Sequence, residues 1–173
     1  MQLQFTTGAQ TVFKGIFRLL PGETLVVKGG RIVSRSYQKA LPAKRRENTK
    51  ENVALKELDA ALMDSVSVHQ RSDVPYGMFF SGGVDSSVLL AMMSRLNERP
   101  VKALTAGFSG TTAYDERAHA RRVADSVGAD HIEVEFTEAD FFALLPQVAS
   151  AIDDPTADYA LLPTFKLAAR ARA

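Results

Sequence analysis

Seven consecutive residues, Ser81, Gly82, Gly83, Val84, Asp85, Ser86 and Ser87, gather the residue types needed to hold a phosphate chain. The two glycines let the backbone turn sharply and approach a ligand with no Cβ in the way. The three serines add hydroxyl donors. A short apolar run, Gly77-Met78-Phe79-Phe80, precedes them, and Val88-Leu89-Leu90-Ala91-Met92-Met93 begins a helix after them. A helix start offers free N–H groups and the positive end of its dipole to an anion. The carboxyl end of a parallel strand is also where open α/β sheets take ligands. The lysine and spacing of G-x-x-x-x-G-K-[ST] are absent, and an acid stands in the loop instead. A carboxylate beside a polyphosphate is repulsive unless a cation lies between them, which makes Asp85 a candidate Mg²⁺ ligand. The plainer alternative is a serine-rich helix start with Asp85 complementing the dipole; it leaves both glycines and all three serines unexplained.

The elements that must position this loop follow from periodicity. A helix is expected from about Thr49 to His69, with Leu55, Leu58, Leu62 and Val66 on one face. The strand at 77–80, the loop and the helix ending near Pro100 come next. Val101 to Phe108 reads as a second strand, and Glu116 to Val127 as a helix stopped by Gly128. Ile132, Val134 and Phe136 alternate with Glu133 and Glu135, so a third, half-exposed strand is expected there. Thr137-Glu138-Ala139-Asp140 reads as a capping box with Asp in place of Glu, ahead of Phe141-Phe142-Ala143-Leu144-Leu145. Strand–helix units in this order imply an α/β fold, a parallel sheet with helices on both faces.

The first 40 residues differ in texture. Thr24-Leu25-Val26-Val27 and Arg31-Ile32-Val33-Ser34-Arg35 flank Lys28-Gly29-Gly30, the signature of a tight hairpin. Two strands are too few for an independent fold, so they are expected to belong to a larger sheet. Residues 41–48, with Lys44-Arg45-Arg46, read as a linker, either an electropositive contact or, as favoured for so short a run, a solvated connector. The remainder, 49–173, is read as one unit, expected to be cut short at its carboxyl-terminal end. The final stretch, Lys166 to Ala173, lacks a capping glycine or proline, and the chain is expected to be a piece of something longer.

Composition sets outer limits. The net charge of +1 gives no reason to expect a nucleic-acid or membrane-surface partner. With no cysteine, a disulfide framework, a thiolate metal site and a cysteine nucleophile are excluded within the chain. No apolar run approaches the roughly 18 residues of a membrane span, and the amino terminus lacks a signal-peptide pattern, so a cytoplasmic location is expected.

With these residues in place, the sequence resembles the ATP-pyrophosphatase (PP-loop) superfamily, whose adenine-nucleotide α-hydrolase-like, Rossmann-like members cleave ATP between the α and β phosphates. Further stretches are similar to the glutamine-hydrolysing asparagine synthetase family. These are Thr105-Ala106-Gly107-Phe108, then Tyr114-Asp115-Glu116-Arg117-Ala118, then the run from Val123 to His131. Asp153-Asp154-Pro155-Thr156-Ala157-Asp158 with Pro163-Thr164-Phe165 is similar to that family's D-E-P-x-x-D and P-T-Y pattern, with Asp154 and Phe165 departing from Glu and Tyr. Thr11 to Gly22 looks like the last strands of the family's glutaminase domain, so residues 1–40 would be its β-rich tail.

The resemblance implies ATP and Mg²⁺, with pyrophosphate on residues 81–87. Adenine would meet the backbone of Leu104, Thr105, Ala106 and Gly107, with Phe80 on the same side. It implies an amide ligase: aspartate, or a similar carboxylate, is adenylated, and ammonia from glutamine displaces AMP. A glutaminase domain in the parent chain and a possible homodimer are the implied partners. No catalytic residue is assigned within the chain. Surface-polysaccharide amidotransferases and β-lactam synthetases share the motifs, and a nucleotide-binding module without turnover is a third reading.

Other candidates carry plainer alternatives. His69, His119 and His131 lack metal-ligand spacing. Asp115 and Glu116 face a nucleotide or, as favoured, serve as the acids of a helix start. Asp153, Asp154 and Asp158 line an acceptor site or form a solvated loop. Met92 and Met93 are expected in the core.

Overall fold

The computed structural model describes residues 7–39, 49–110, 115–153 and 156–172. The expected linker 41–48, Tyr114, Asp154 and Pro155 lie outside the described residues. The chain divides into two compact units, Met1–Thr49 with Ile152–Asp158, and Lys50–Ala151 with Tyr159–Ala173.

The first unit contains an antiparallel hairpin of β1 (Glu23–Lys28) and β2 (Arg31–Tyr37). Gly29 and Gly30 both take positive φ, +57° and +72°, as a two-residue turn between twisted strands requires. Lys28 pairs with Arg31, and the register slips once, between Val26 and Val27. Val26, Val27, Ile32 and Val33 are all at least half exposed.

The second unit is built on a parallel sheet ordered β3 (Gly77–Phe79), β4 (Lys102–Gly107), β5 (Asp130–Glu135). Its helices are α1 (Glu51–His69), α2 (Val84–Leu96), α3 (Arg117–Ser126), α4 (Glu138–Ala151) and α5 (Leu161–Arg172). Side chains alternate along β4, and the alternation sorts the helices by face. Ala103 joins Val66, Leu90, Met92, Met93, Ala120 and Ala124 in one buried cluster with α1, α2 and α3. Leu104 joins Val134 and Leu167 of α5 in another. The expected α/β sheet with helices on both faces is therefore the observed one, with the hairpin before it.

Met92 and Met93 are in the core as expected. The stripe read along α1 is only half right. Val66 is buried and Leu62 and Met63 pack beside it, but Leu55 and Leu58 remain 58% and 55% exposed. They have the helical spacing of core residues without a packing partner in the buried cluster, and spacing alone cannot tell how far along a helix its neighbour reaches.

α4 opens on the capping box read from sequence. Asp140 Oδ2 accepts the Thr137 N–H at 2.8 Å and the Thr137 hydroxyl at 2.7 Å, while the Asp140 N–H reaches back to Thr137 Oγ1 at 3.2 Å. The same carboxylate meets Lys166 Nζ at 2.6 Å, tying α4 to α5. Lys166 first, and then Thr137, hold the Asp140 carboxyl down from its ordinary 3.8 to about 2. A carboxyl whose pKa is depressed on folding adds stability above its unfolded pKa, and that stability is lost as pH falls through the folded value. Asp140→Ala is therefore expected to lower unfolding free energy at pH 7 by about 1–2 kcal/mol. Its deficit relative to the wild type should shrink as pH falls from about 4 to about 2. Urea unfolding at a series of pH values checks both; equal stability at pH 7 would remove the cap.

Candidate functional site

β3 lies at the edge of the sheet, and residues 81–87 leave its carboxyl end. Pairing with β4 outlasts the strand by one residue, because the Phe80 N–H still bonds the Leu104 carbonyl at 2.7 Å. The chain then turns at Gly82, in the left-handed region at φ +77°. A Cβ there would stand 3.1 Å from Ala120 Cα and 3.1 Å from His119 Cδ2. Gly82 is thus fixed twice, by its dihedral and by the first turns of α3 pressing on it. Gly83 has an ordinary φ of −65°, and a Cβ there would meet only Ser81 Oγ, at 3.3 Å.

Helix α2 starts at Val84, four residues before the expected start at Val88. Val84, Asp85, Ser86 and Ser87 are therefore its first turn rather than loop. The reason is visible in the bonding. The Ser87 N–H donates to the Gly83 carbonyl at 2.9 Å, and the Ser86 and Ser87 hydroxyls donate to the Gly83 and Gly82 carbonyls at 3.1 and 3.2 Å. Ser81 Oγ and Ser86 Oγ lie 3.1 Å apart, and the Gly83 N–H reaches Ser81 Oγ at 3.3 Å. The serines thus close the turn on itself. Gly83, at the N-cap, has no side chain to cap the first N–H groups of α2. Those groups remain available to an anion.

Asp85 sits in the first turn of α2, exposed to solvent. Its carboxylate and the neighbouring hydroxyls are oxygen donors of the kind a hard divalent cation takes. Among the described residues no group of three or more His, Asp or Glu side chains is arranged to hold a metal ion. Asp85 alone could supply only one protein ligand, which suits a cation held jointly with phosphate oxygens.

The residues expected near adenine are spread over two faces. Phe80 is 2% exposed and joins the cluster under α2 and α3. Thr105 points to that same face and is 2% exposed, its hydroxyl donating to the Phe80 carbonyl at 2.6 Å. Leu104 points to the opposite face, toward α5. Ala106 is half-buried, packed beside the α5 cluster. Gly107 ends β4 beneath the Arg117 side chain, so close that a Cβ would overlap the guanidinium.

Arg117 was not singled out by sequence. Its guanidinium makes a forked pair with Asp115, Nε lying 3.0 and 2.9 Å from the two carboxylate oxygens, and Nη2 reaches Ser109 Oγ at 2.8 Å. Asp115 Oδ1 also accepts the Arg117 N–H at 3.1 Å, so Asp115 acts at the helix start, the favoured reading. Arg117 first holds the Asp115 carboxyl below its ordinary value. The charged pair i, i+2 across a helix start was the available signal. Asp153 and Asp158 are exposed. No helix of the described residues is long and apolar enough to cross a membrane.

Residues 57–173 match the family described as Asparagine synthase. A putative glutamine-hydrolysing asparagine synthetase of Mycobacterium tuberculosis is 32% identical over 173 residues, covering 98% of this chain and 26% of that protein. Glutamine-hydrolysing asparagine synthetase 1 of Bacillus subtilis is 31% identical, over 99% of this chain and 27% of its own. A Penicillium rubens protein named amidase chyE is 30% identical over 141 residues, 70% of this chain and 20% of its own. The chain spans about a quarter of the length of the synthetases it matches.

The two glycines should respond differently to alanine. Gly82→Ala places a Cβ in a left-handed residue against α3 and is expected to destabilise the protein by about 1–3 kcal/mol. Gly83→Ala replaces an accepted N-cap residue by a poor one at an ordinary φ and should cost only about 0.5–1 kcal/mol. Denaturation midpoints of the two variants check this, and equal losses would contradict the turn geometry.

Proposed function

The chain belongs to the asparagine synthase family, and from that premise we propose that it is the ATP-handling part of an AMP- and pyrophosphate-forming amide ligase. The observation that carries this reading is the turn at residues 81–87. A glycine-shaped loop at the carboxyl end of a parallel strand opens a helix whose first N–H groups have no side-chain cap. Pyrophosphate is taken by Ser81, Gly82, Gly83, Val84, Asp85, Ser86 and Ser87. Adenine lies toward Phe80 and the backbone of Leu104, Thr105, Ala106 and Gly107.

In this reaction a carboxylate oxygen of aspartate attacks the α-phosphorus, the bond to the bridging oxygen breaks, and pyrophosphate leaves. Ammonia then attacks the acyl carbon and AMP leaves. The work of residues 81–87 is to hold the leaving pyrophosphate in line and stabilise its charge, which needs no protein nucleophile. Asp85 would hold Mg²⁺, whose role is to neutralise phosphate charge. Residues 1–40 are read as the tail of a glutaminase domain in the parent protein, 41–48 as a linker and 49–173 as the synthetase part. Ammonia would come from glutamine, as the relatives' names suggest, and the location would be cytoplasmic, with a homodimer possible.

A second reading keeps the adenylation and changes the acceptor. It is favoured by one observation, the similarity to a protein named as an amidase over 70% of this chain. A surface-polysaccharide or β-lactam-forming acceptor falls in this class, and a nucleotide-binding module without turnover is the reading left if nucleotide binds without pyrophosphate release.

Calorimetry on the chain, with ATP titrated in the presence and absence of Mg²⁺, is the direct test. Wild type is expected to bind ATP in a Mg²⁺-dependent manner, and Asp85→Ala to weaken that binding at least about tenfold with an unchanged melting temperature. In a complete enzyme the same substitution should remove Mg²⁺-dependent pyrophosphate release. Equal binding by Asp85→Ala, with and without Mg²⁺, would eliminate the metal role.

A further inference from the structure

The residue before the loop, Phe80, is tied to β4 through its carbonyl oxygen. That oxygen accepts the Thr105 hydroxyl at 2.6 Å. That hydroxyl has a single proton, and a carbonyl has none to return. The 2.8 Å contact between Thr105 Oγ1 and His131 Nε2 must then have the ring as donor. His131 is thereby fixed in its Nε2–H form, with Nδ1 facing Glu133 Oε1 at 3.8 Å. The parallel register makes this possible, since His131 pairs with Ala103 and Glu133 with Thr105, all on the face that carries α3.

The ring also meets Phe80 edge-on, with centroids 6.3 Å apart and planes at 88°. β5 therefore grips the residue before the loop twice, once by ring contact and once by hydrogen bonds relayed through β4. Thr105 is 2% exposed and the His131 side chain 5%. Burial, opposed chiefly by the Glu133 charge, lowers the His131 pKa and favours the neutral imidazole. Breaking either link leaves a buried polar group without its partner. On one side the pair meets the apolar Phe80 ring, and on the other His131 shares a polar pocket with Arg121, Asp125 and Glu133. Two apolar side chains would fill this space without setting any direction, whereas a satisfied polar chain fixes the angle of the Phe80 carbonyl.

We propose that Thr105 and His131 are positioning residues for the loop at 81–87, a relay from β5 through β4 that aims its free N–H groups and hydroxyls at the phosphates. The inference rests on the nucleotide site proposed above, and neither side chain touches the ligand. Thr105→Val and His131→Leu each cut the relay. Thr105→Ser keeps the hydroxyl, and His131→Gln keeps an N–H at about the reach of Nε2. Leu167→Ala, in the cluster on the opposite face of the sheet, is the control for lost stability. The readouts are the Kd of MgATP by calorimetry and amide hydrogen exchange of Phe80 and Ser87, at a temperature where every variant is folded.

Each relay break is expected to raise the Kd about tenfold, the equivalent of one hydrogen bond. The double variant should be no weaker than either single one, because one cut opens the whole relay. The Ser and Gln variants should recover binding to within about threefold of wild type. Phe80 and Ser87 amides should exchange faster in the broken variants and not in Leu167→Ala. Wild-type affinity in Thr105→Val and His131→Leu, or an equal loss of affinity and protection in Leu167→Ala, would overturn the relay. Should Thr105→Val not fold, the contrast between His131→Leu and His131→Gln decides. Faster exchange in the broken variants of a protein that binds no MgATP would retain the relay and sink the nucleotide site; unchanged exchange sinks the relay alone.

Discussion

At Gly82 the chain passes in a left-handed turn beneath Ala120, with 3.1 Å between the helix Cα and the place a Cβ would occupy, and the shape of the loop depends on that approach. It is possible because α3 meets the sheet through small side chains. Ala103 on β4 and Ala120 and Ala124 on α3 are all fully buried. Short side chains at the contact bring helix and sheet backbones together, and a larger residue at any of the three would lift α3 off the loop. Polar ties then fix α3 at its margins: Arg121 pairs with Glu133 on β5, and Arg117 lies across Gly107 at the end of β4. Loop, helix and strand ends are consequently one packed assembly rather than a loop on a scaffold.

Much of this was legible in the residues because the signals were local. Lys28-Gly29-Gly30-Arg31 specified a hairpin through the positive φ of two glycines, and that turn is present. Thr137 and Asp140 specified a capping box by their spacing alone, and each of its hydrogen bonds forms. Gly128 ends the stretch after α3 with φ +67°, as a helix stop should. The early start of α2 was missed because Val84-Asp85-Ser86-Ser87 are indifferent helix formers. Serine hydroxyls folded back onto the Gly82 and Gly83 carbonyls support that first turn, and propensity does not record such bonds.

What the residues could not reveal was non-local. Leu55 and Leu58 have core spacing, yet both are more than half exposed. His131 was weighed only as a metal ligand, where its isolation in sequence argued against a role. Its partners Thr105 and Phe80 lie 26 and 51 positions away, brought together by parallel register across three strands. Spacing rules operate within one element; a relay across a sheet needs the pairing first. The same holds for Arg117, whose side chain covers a glycine ten residues earlier because a strand end and a helix start converge there.

The position of Asp85 poses an electrostatic question that its surroundings answer in part. In the free protein the carboxylate sits in the first turn of α2, where the dipole favours a negative charge by about 0.3–1 kcal/mol. A phosphate arriving at the same N–H groups would feel that charge as repulsion of about 4 kcal/mol at 4 Å in a surface-like dielectric. The penalty outweighs the dipole term for the same helix, so an acid at this place works against bare polyphosphate binding. A divalent cation between the two reverses the sign, since carboxylate and phosphate then share one positive charge centre. The serines cannot do this, because hydroxyls lack the charge and three of them are already engaged with one another and with loop carbonyls. Were the loop to take a phosphate chain as proposed, an acid in its first turn would make that binding conditional on a cation.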